Sequence, residues 1–268
     1  MAVSIKSERE IQLMRESCKL LAKVHEELAK AVQPGVSTLE IDTLAEKLIR
    51  GYGCIPNFLN YNGFPASVCI SVNEEVVHGI PSKNRILKDG DIVSLDCGLI
   101  YRGYHSDAAR THAVGAVSKE VQQLMDVTKQ SFFEGIKMAK AGNHLYDISN
   151  AIDDYVSQFG YGIVKDLVGH GIGTSLHEDP QVPNFRQKRK GLLLQPGIKT
   201  NFSISSEKLT NATRRGSSLS RGSPAHEAEH GPLSRLSGRF RLPLVHPLLP
   251  LPVGPESHIC KGLVEKRL

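Results

Sequence analysis

Apolar side chains recur three or four positions apart over residues 8–32: Ile11, Met14, Cys18, Leu21, Val24 and Leu28. That spacing predicts an amphipathic helix. Ser7 followed by Glu10 is a capping-box pattern at its start, and Pro34-Gly35 ends it. A second helix opens at Thr38-Leu39-Glu40-Ile41 and runs to Gly51-Tyr52-Gly53. Strand patterns follow at Val68–Val72, Glu75–His78 and Asp91–Leu95. Gly79-Ile80-Pro81 and Lys88-Asp89-Gly90 read as the turns between them.

The pattern then repeats. Gln12-Leu13-Met14 recurs as Gln123-Leu124-Met125, Pro34-Gly35 as Ala141-Gly142, and Gly51-Tyr52-Gly53 as Gly160-Tyr161-Gly162. The offset is about 110 residues each time. Each half reads as helix, helix, then strands, which predicts duplicated α+β units whose sheets meet around a cleft.

After Gly197 the character changes. Residues 201–268 hold seven of the 14 prolines and no Asp or Tyr. The stretch RLPLVHPLLPLPVGP is too rich in proline for a helix or a central strand. The expected division is therefore an incomplete folded domain over 1–198 and an atypical Pro/Ser/Arg-rich tail over 199–268, disordered or frameshifted.

Charge follows this division. Of 33 basic and 28 acidic residues, ten basic and five acidic lie from Asn201 onward, so residues 1–200 are neutral and the formal charge of +5 belongs to the tail. That charge is spread and lacks aromatic interleaving, which argues against nucleic-acid binding. There is no apolar run long enough to span a membrane and no secretory signal at the N-terminus, so a cytoplasmic location is expected. Five scattered cysteines fit reduced thiols there.

Three segments carry chemistry. In DCGLIYRGYHSDAAR, residues 96–110, Arg102-Gly103 reads as a two-residue hairpin turn. Tyr101 then pairs with Tyr104, Gly98 with Asp107 and Asp96 with Ala109. Asp96 and Asp107 become diagonal neighbours on one face, roughly 7–8 Å apart at the backbone. Two such carboxylates can seat one or two divalent ions, or can be solvated side chains on a surface hairpin. In VGHGIGTSLHEDP, residues 168–180, glycines bracket His170 and permit close backbone approach to an ion or ligand; His177 follows. In SVNEEVVHGIP, residues 71–81, His78 ends a strand pattern; a lone histidine there is more often structural than functional.

With NYNGFPASVCISVNEEVVHGIP, SLDCGLIYRGYHSDAARTHAVG and VGHGIGTSLHEDPQVPNF, the chain resembles the type I methionine aminopeptidases from near Ser4 to about Gly197. It lacks the zinc-binding extension of eukaryotic members and is similar to the short bacterial form. The resemblance implies an α+β pita-bread (creatinase/aminopeptidase) fold with a pseudo-twofold duplication. It also implies two divalent metal ions (Co, Mn, Fe or Zn), with Asp96, Asp107 and His170 as ligands and Asp107 bridging. His78 and His177 would contact substrate beside the scissile bond and stabilise the tetrahedral intermediate. Tyr61, Phe64 and Cys69 would line the methionine pocket. The implied activity is removal of the N-terminal methionine from peptides and nascent chains by a cytoplasmic monomer meeting its substrates at the ribosome.

The resemblance stops after LLLQPG. Two glutamates that complete the family's metal site are expected there, the first also serving as general base. Ser203 stands at the first position, and no Glu-Pro follows. Glu207, Glu227, Glu229, Glu256 and Glu265 lie in no strand-like context and carry no implied ligand role. The C-terminal strands of the fold are expected to be missing and the activity of this chain to be impaired. The alternative is a catalytically inactive pita-bread binding module whose basic tail contacts the ribosome. A proline-directed peptidase of the same fold fits the short N-terminus and the pocket segment poorly.

Overall fold

A computed structural model of the protein describes residues 3–201 and the backbone of 209–211. Helices α1 (Glu8–Ala31) and α2 (Thr38–Gly51) begin at capping boxes, Ser7 with Glu10 and Ser37 with Glu40. In each, the serine hydroxyl accepts the third-residue N–H while the glutamate accepts the serine N–H, satisfying two otherwise orphaned donors. The apolar stripe of α1 is buried at Ile11, Met14, Leu21, Val24 and Leu28, and two polar positions are buried with it, Ser17 and His25. Both bond to the strand beneath: Ser17 Oγ donates to the Tyr104 carbonyl (3.2 Å), and His25 Nε2 lies 2.9 Å from the Ala108 carbonyl.

The first sheet contains β1 (Ile55–Pro56), β2 (Val68–Val72), β3 (Ile92–Tyr101) and β4 (Tyr104–Ala113), with β3 between β1 and β2 and also paired to β4. The β3–β4 register matches the sequence expectation residue for residue, with Tyr101 opposite Tyr104, Gly98 opposite Asp107 and Asp96 opposite Ala109. Arg102 and Gly103 have φ of 49° and 83°, as a turn with two left-handed residues requires. Side chains alternate across this sheet. Val93, Leu95, Cys97 and Leu99 enter the main core with α1 and α2. Asp96 therefore faces the other way, and so does Asp107.

The expected strand at Glu75–His78 is not formed. Asn73 and His78 adopt left-handed backbone (φ 57° and 59°), and the Glu75 carboxylate folds back to accept the Val72 N–H. Extended backbone cannot pass through those two residues, so 73–80 is a loop.

The second half has α3 (Lys119–Met138) and α4 (Leu145–Ser157), followed by β5 (Tyr161–Ile163), β6 (Gly169–Gly171), β7 (Glu178–Val182), β8 (Thr200–Asn201) and β9 (Leu209–Asn211). β5 pairs with β9, and β6 lies between β7 and β8. The ladder thus continues beyond residue 198. A smaller core of Val127, Leu145, Ile148, Ile152, Val156, Val182 and Leu194 sits here.

The duplication is exact in its connections. Gly35 N–H donates to Leu87 O and Gly142 N–H to Leu194 O (2.8 and 3.0 Å). Thr38 N–H donates to Arg85 O and Leu145 N–H to Leu192 O (2.9 and 2.7 Å). Leu87 N–H donates to Val36 O and Leu194 N–H to Asn143 O (both 2.8 Å). Every pair is displaced by 107 residues. Gly35 and Gly142 also share a left-handed φ, 90° and 93°, which only glycine adopts without strain.

Candidate metal centre and substrate cleft

The hairpin turns Asp96 and Asp107 to the sheet face away from the main core, and β6 supplies His170. His170 Nε2 lies 3.5 Å from Asp107 Oδ2, with both side chains largely enclosed. His170 Nδ1 lies 2.8 Å from the Gly171 carbonyl. A carbonyl only accepts, so that contact keeps a proton on Nδ1 and turns Nε2 towards Asp107. A carboxylate facing an imidazole nitrogen is a donor pair that a divalent cation can share. Asp96 is a register neighbour of Cys69, opposite it across the β2–β3 ladder. Burial pushes the Cys69 thiol well above its usual pKa, and the Asp96 and Asp107 carboxylates push it further.

The donor types, carboxylate and imidazole, suit a first-row divalent ion. Their number does not close a site: among the described residues, no group of three His, Cys, Asp or Glu stands close enough to hold an ion. Asp107 and His170 come within 3.5 Å of each other, and Asp96 lies on the same face of the sheet. A diagonal strand pair starts roughly 7–8 Å apart, and two carboxylates repel at shorter range. Ser203, Glu207, Glu227, Glu229, Glu256 and Glu265 lie outside the described residues, as does the tail.

His177 stands beside the pair, its ring centroid 4.3 Å from that of His170. Its Nδ1 is 2.9 Å from the Tyr61 hydroxyl. Burial lowers its pKa, helped by His170, His105 and His78 and opposed by Asp107. His78 is thus close enough to be felt, although exposed on the 73–80 loop. Cys69 and Phe64 belong to a third apolar cluster with Met14, Phe58, Ile172 and Leu176. Tyr61 is not part of it; its ring lies against His177 instead. Gly171 is needed by the protein's own packing: a Cβ there would lie 2.1 Å from the Asp179 carbonyl oxygen of β7.

Residues 12–204 match the family model described as metallopeptidase family M24. A methionine aminopeptidase from Clostridium acetobutylicum is 52% identical over 196 residues, which are 73% of this chain and 78% of the relative. The chain belongs to metallopeptidase family M24. Within it, the chain groups with the bacterial type I methionine aminopeptidases. Methionine aminopeptidase 1 of Bacillus subtilis is 48% identical over 193 residues, covering 72% of this chain and 77% of that one. Among solved structures, the methionine aminopeptidase of Thermotoga maritima superposes with a TM-score of 0.73 at 38% identity, covering 74% and 80% of the two chains. A Xaa-Pro dipeptidase from Bacillus anthracis superposes at 0.64 with 25% identity, covering 80% of this chain and 63% of that one. The architecture is the α+β pita-bread fold these proteins share.

Further contacts around this cleft have no local mark in the sequence. His105 Nδ1 lies 2.5 Å from Asn57 Oδ1, and the His105 N–H donates to the Gly173 carbonyl (2.8 Å), tying the hairpin to the segment that carries His177. Lys6 pairs with Glu178 at 2.6 Å across 172 residues of sequence. No local pattern marks such a partner. The expectation of reduced thiols covers Cys18, Cys54, Cys69 and Cys97, which are free; Cys260 lies outside the described residues. No helix among the described residues is long and apolar enough to cross a membrane.

Proposed function

We propose that this protein is a metal-dependent aminopeptidase that removes N-terminal methionine from peptides and nascent chains. The observation that carries the reading is the Asp107–His170 pair at 3.5 Å, with the imidazole oriented by the Gly171 carbonyl. Asp96, Asp107 and His170 would hold the divalent ions. Bound divalent ions supply Lewis acidity and an activated water at neutral pH. The remaining work falls to the chain's own side chains. The Tyr61 hydroxyl and His177 Nδ1 are 2.9 Å apart; with the hydroxyl as donor, the N–H on His177 Nε2 is free to donate to the oxygen of the scissile carbonyl as negative charge develops there. The lowered pKa of His177 keeps that ring neutral at neutral pH. His78 approaches the same carbonyl group from the 73–80 loop. Phe64 and the un-ionised Cys69 thiol give the methionine thioether a soft apolar wall, with Tyr61 at its mouth.

Turnover by this chain is impaired. Ser203 stands at the position of the family's first glutamate ligand and general base, and serine offers neither a carboxylate ligand nor a base. Loss of such roles removes roughly two or more orders of magnitude in rate. The protein acts as a monomer on free peptides and on chains leaving the ribosome.

A second reading, a catalytically inactive pita-bread module, is favoured by one observation: the described residues hold no three-donor group. Purified protein incubated with a Met-Gly-Met peptide and Co, Mn or Fe ions separates the two. Slow methionine release that tracks the metal and disappears in Asp107→Asn supports the aminopeptidase. A folded protein without release under every metal supports the module.

A further inference from the structure

We propose that the Lys6–Glu178 ion pair is a clamp that positions His177, making Lys6 and Glu178 positioning residues for the site. The inference rests on the reading of His177 as a substrate-contacting group. Lys6 is 6% exposed, and its ammonium lies 2.6 Å from Glu178 Oε2. The same ammonium donates to Ser4 Oγ (2.9 Å). The other carboxylate oxygen, Oε1, accepts the Ser175 N–H (3.1 Å). Burial alone raises the Glu178 pKa, but the Lys6 ammonium and the backbone N–H groups of Ser175 and Thr174 outweigh it and hold the carboxyl below its usual value. The 173–178 segment is folded around this pair so closely that a Cβ on Gly173 would come within 2.4 Å of Lys6 Nζ and 2.6 Å of Glu178 Oε1.

The anchor itself is fixed. The Lys6 N–H donates to the Gly197 carbonyl (2.8 Å), and Ile5 bridges to Ile198. At the other end of the segment, the His105 N–H holds the Gly173 carbonyl (2.8 Å). Residues 173–178 are therefore pinned at both ends, and His177 is the residue next to the second pin. A well-packed apolar pair at such a place is commonly as stabilising as a buried ion pair or more so. What the charged pair adds is direction, since a short, hydrogen-bonded contact admits one placement of Glu178 and hence of its neighbour.

The test uses the full chain and four variants: Lys6→Met, Glu178→Gln, Lys6→Arg and the double Lys6→Met/Glu178→Met. Amide exchange and the His177 imidazole NMR signal are read at one fixed pH. In Lys6→Met and Glu178→Gln, amides 174–178 exchange about tenfold faster or more while those of α4 and β3 keep their rates. The His177 signal shifts and its contact with the Tyr61 ring is lost. Lys6→Arg restores both. The double variant, which leaves no buried charge alone, folds even if the single ones do not, and still shows the freed segment. In wild-type protein with turnover, kcat falls about a hundredfold for Lys6→Met with little change in KM. Wild-type protein without turnover removes the aminopeptidase reading, while exchange and the His177 signal still decide the clamp. Unchanged 174–178 amides, acceleration spread evenly over the whole fold, or a double variant with wild-type His177 overturns it.

Discussion

Gly35 and Gly142 occupy the same place in two copies of one plan, yet the sheets that follow them differ. In the first half, β3 and β4 are ten residues each and join through a two-residue turn, so the ladder closes locally. In the second half, β5 and β6 are three residues each; β6 pairs locally with β7, but β5's partner β9 and β6's other partner β8 come from residues 209–211 and 200–201. Long-range closure costs more chain entropy before it returns contact energy. The large core lies under the first sheet and the smaller one beside the strands of the second half. A duplicated helical layer can thus carry sheets of unequal robustness. The proposed site draws on both, with Asp96 and Asp107 from the long hairpin and His170 from a three-residue strand.

The sharpest way to break the comparison is at its joint. Asp107→Asn removes the carboxylate that meets His170, and metal-dependent methionine release falls by about a thousandfold or more. Calorimetric titration with Mn or Co checks it independently, with binding weakened in the same variant. Residual full-strength binding would mean that the halves do not share an ion.

Core truncation ranks the halves. Leu95 and Ile152 are both fully buried. Leu95→Ala costs about 4 kcal/mol and Ile152→Ala about 2–3 kcal/mol in urea unfolding, because the smaller core can close around a deletion more readily. Equal or reversed costs would show that the second core is packed as tightly as the first.

A pH series sharpens the comparison further. His25 is fully buried in the first half, and burial, with the nearby Arg110 charge, lowers its pKa to about 3. The unfolded chain binds the proton near pH 6.5, so folding is favoured most above that value. Stability is then lost as pH falls from 6.5 towards 3, by about tenfold in the folding equilibrium per pH unit. His112, with a pKa lowered to about 4 by its own burial, contributes the same sign over a narrower window. His25→Gln keeps a donor for the Ala108 carbonyl and flattens the denaturant-midpoint slope over this range. An unchanged slope would place the acid sensitivity elsewhere.

The smallest effects belong to the helix starts. Ser37→Ala removes a hydroxyl that accepts the Glu40 N–H and costs about 1 kcal/mol. Asp147, displaced by 107 residues from Glu40, accepts the His144 N–H at 2.7 Å. Asp147→Ala costs about 1 kcal/mol or less, since it likewise leaves a single donor, the N–H of half-buried His144, to turn to water. Thermal melts read both.

Much of this was legible in the chain. Both first-half helices, the β3–β4 register and the doubling of the plan follow from periodicity, caps and a two-residue turn, all of which act within a few residues of themselves. The Glu75–His78 segment carries two β-branched valines that favour a strand, but Asn73 and His78 turn the backbone left-handed and make it a loop. His25 shows the same limit. On a helical wheel it is a polar interruption, and only the strand beneath supplies the Ala108 carbonyl that makes its burial tolerable.

By itself, the sequence determined the helical layer, the hairpin that puts Asp96 and Asp107 on one face, and the family whose motifs the first three-quarters carries. Those depend on spacing, and spacing is written in the chain. The tertiary structure alone decided that Asp107 meets His170, that Tyr61 turns to His177 rather than to the Phe64–Cys69 cluster, and that Lys6 reaches Glu178. Each of these joins segments far apart in sequence. Their distance is set by how sheets and loops pack, which no local pattern encodes.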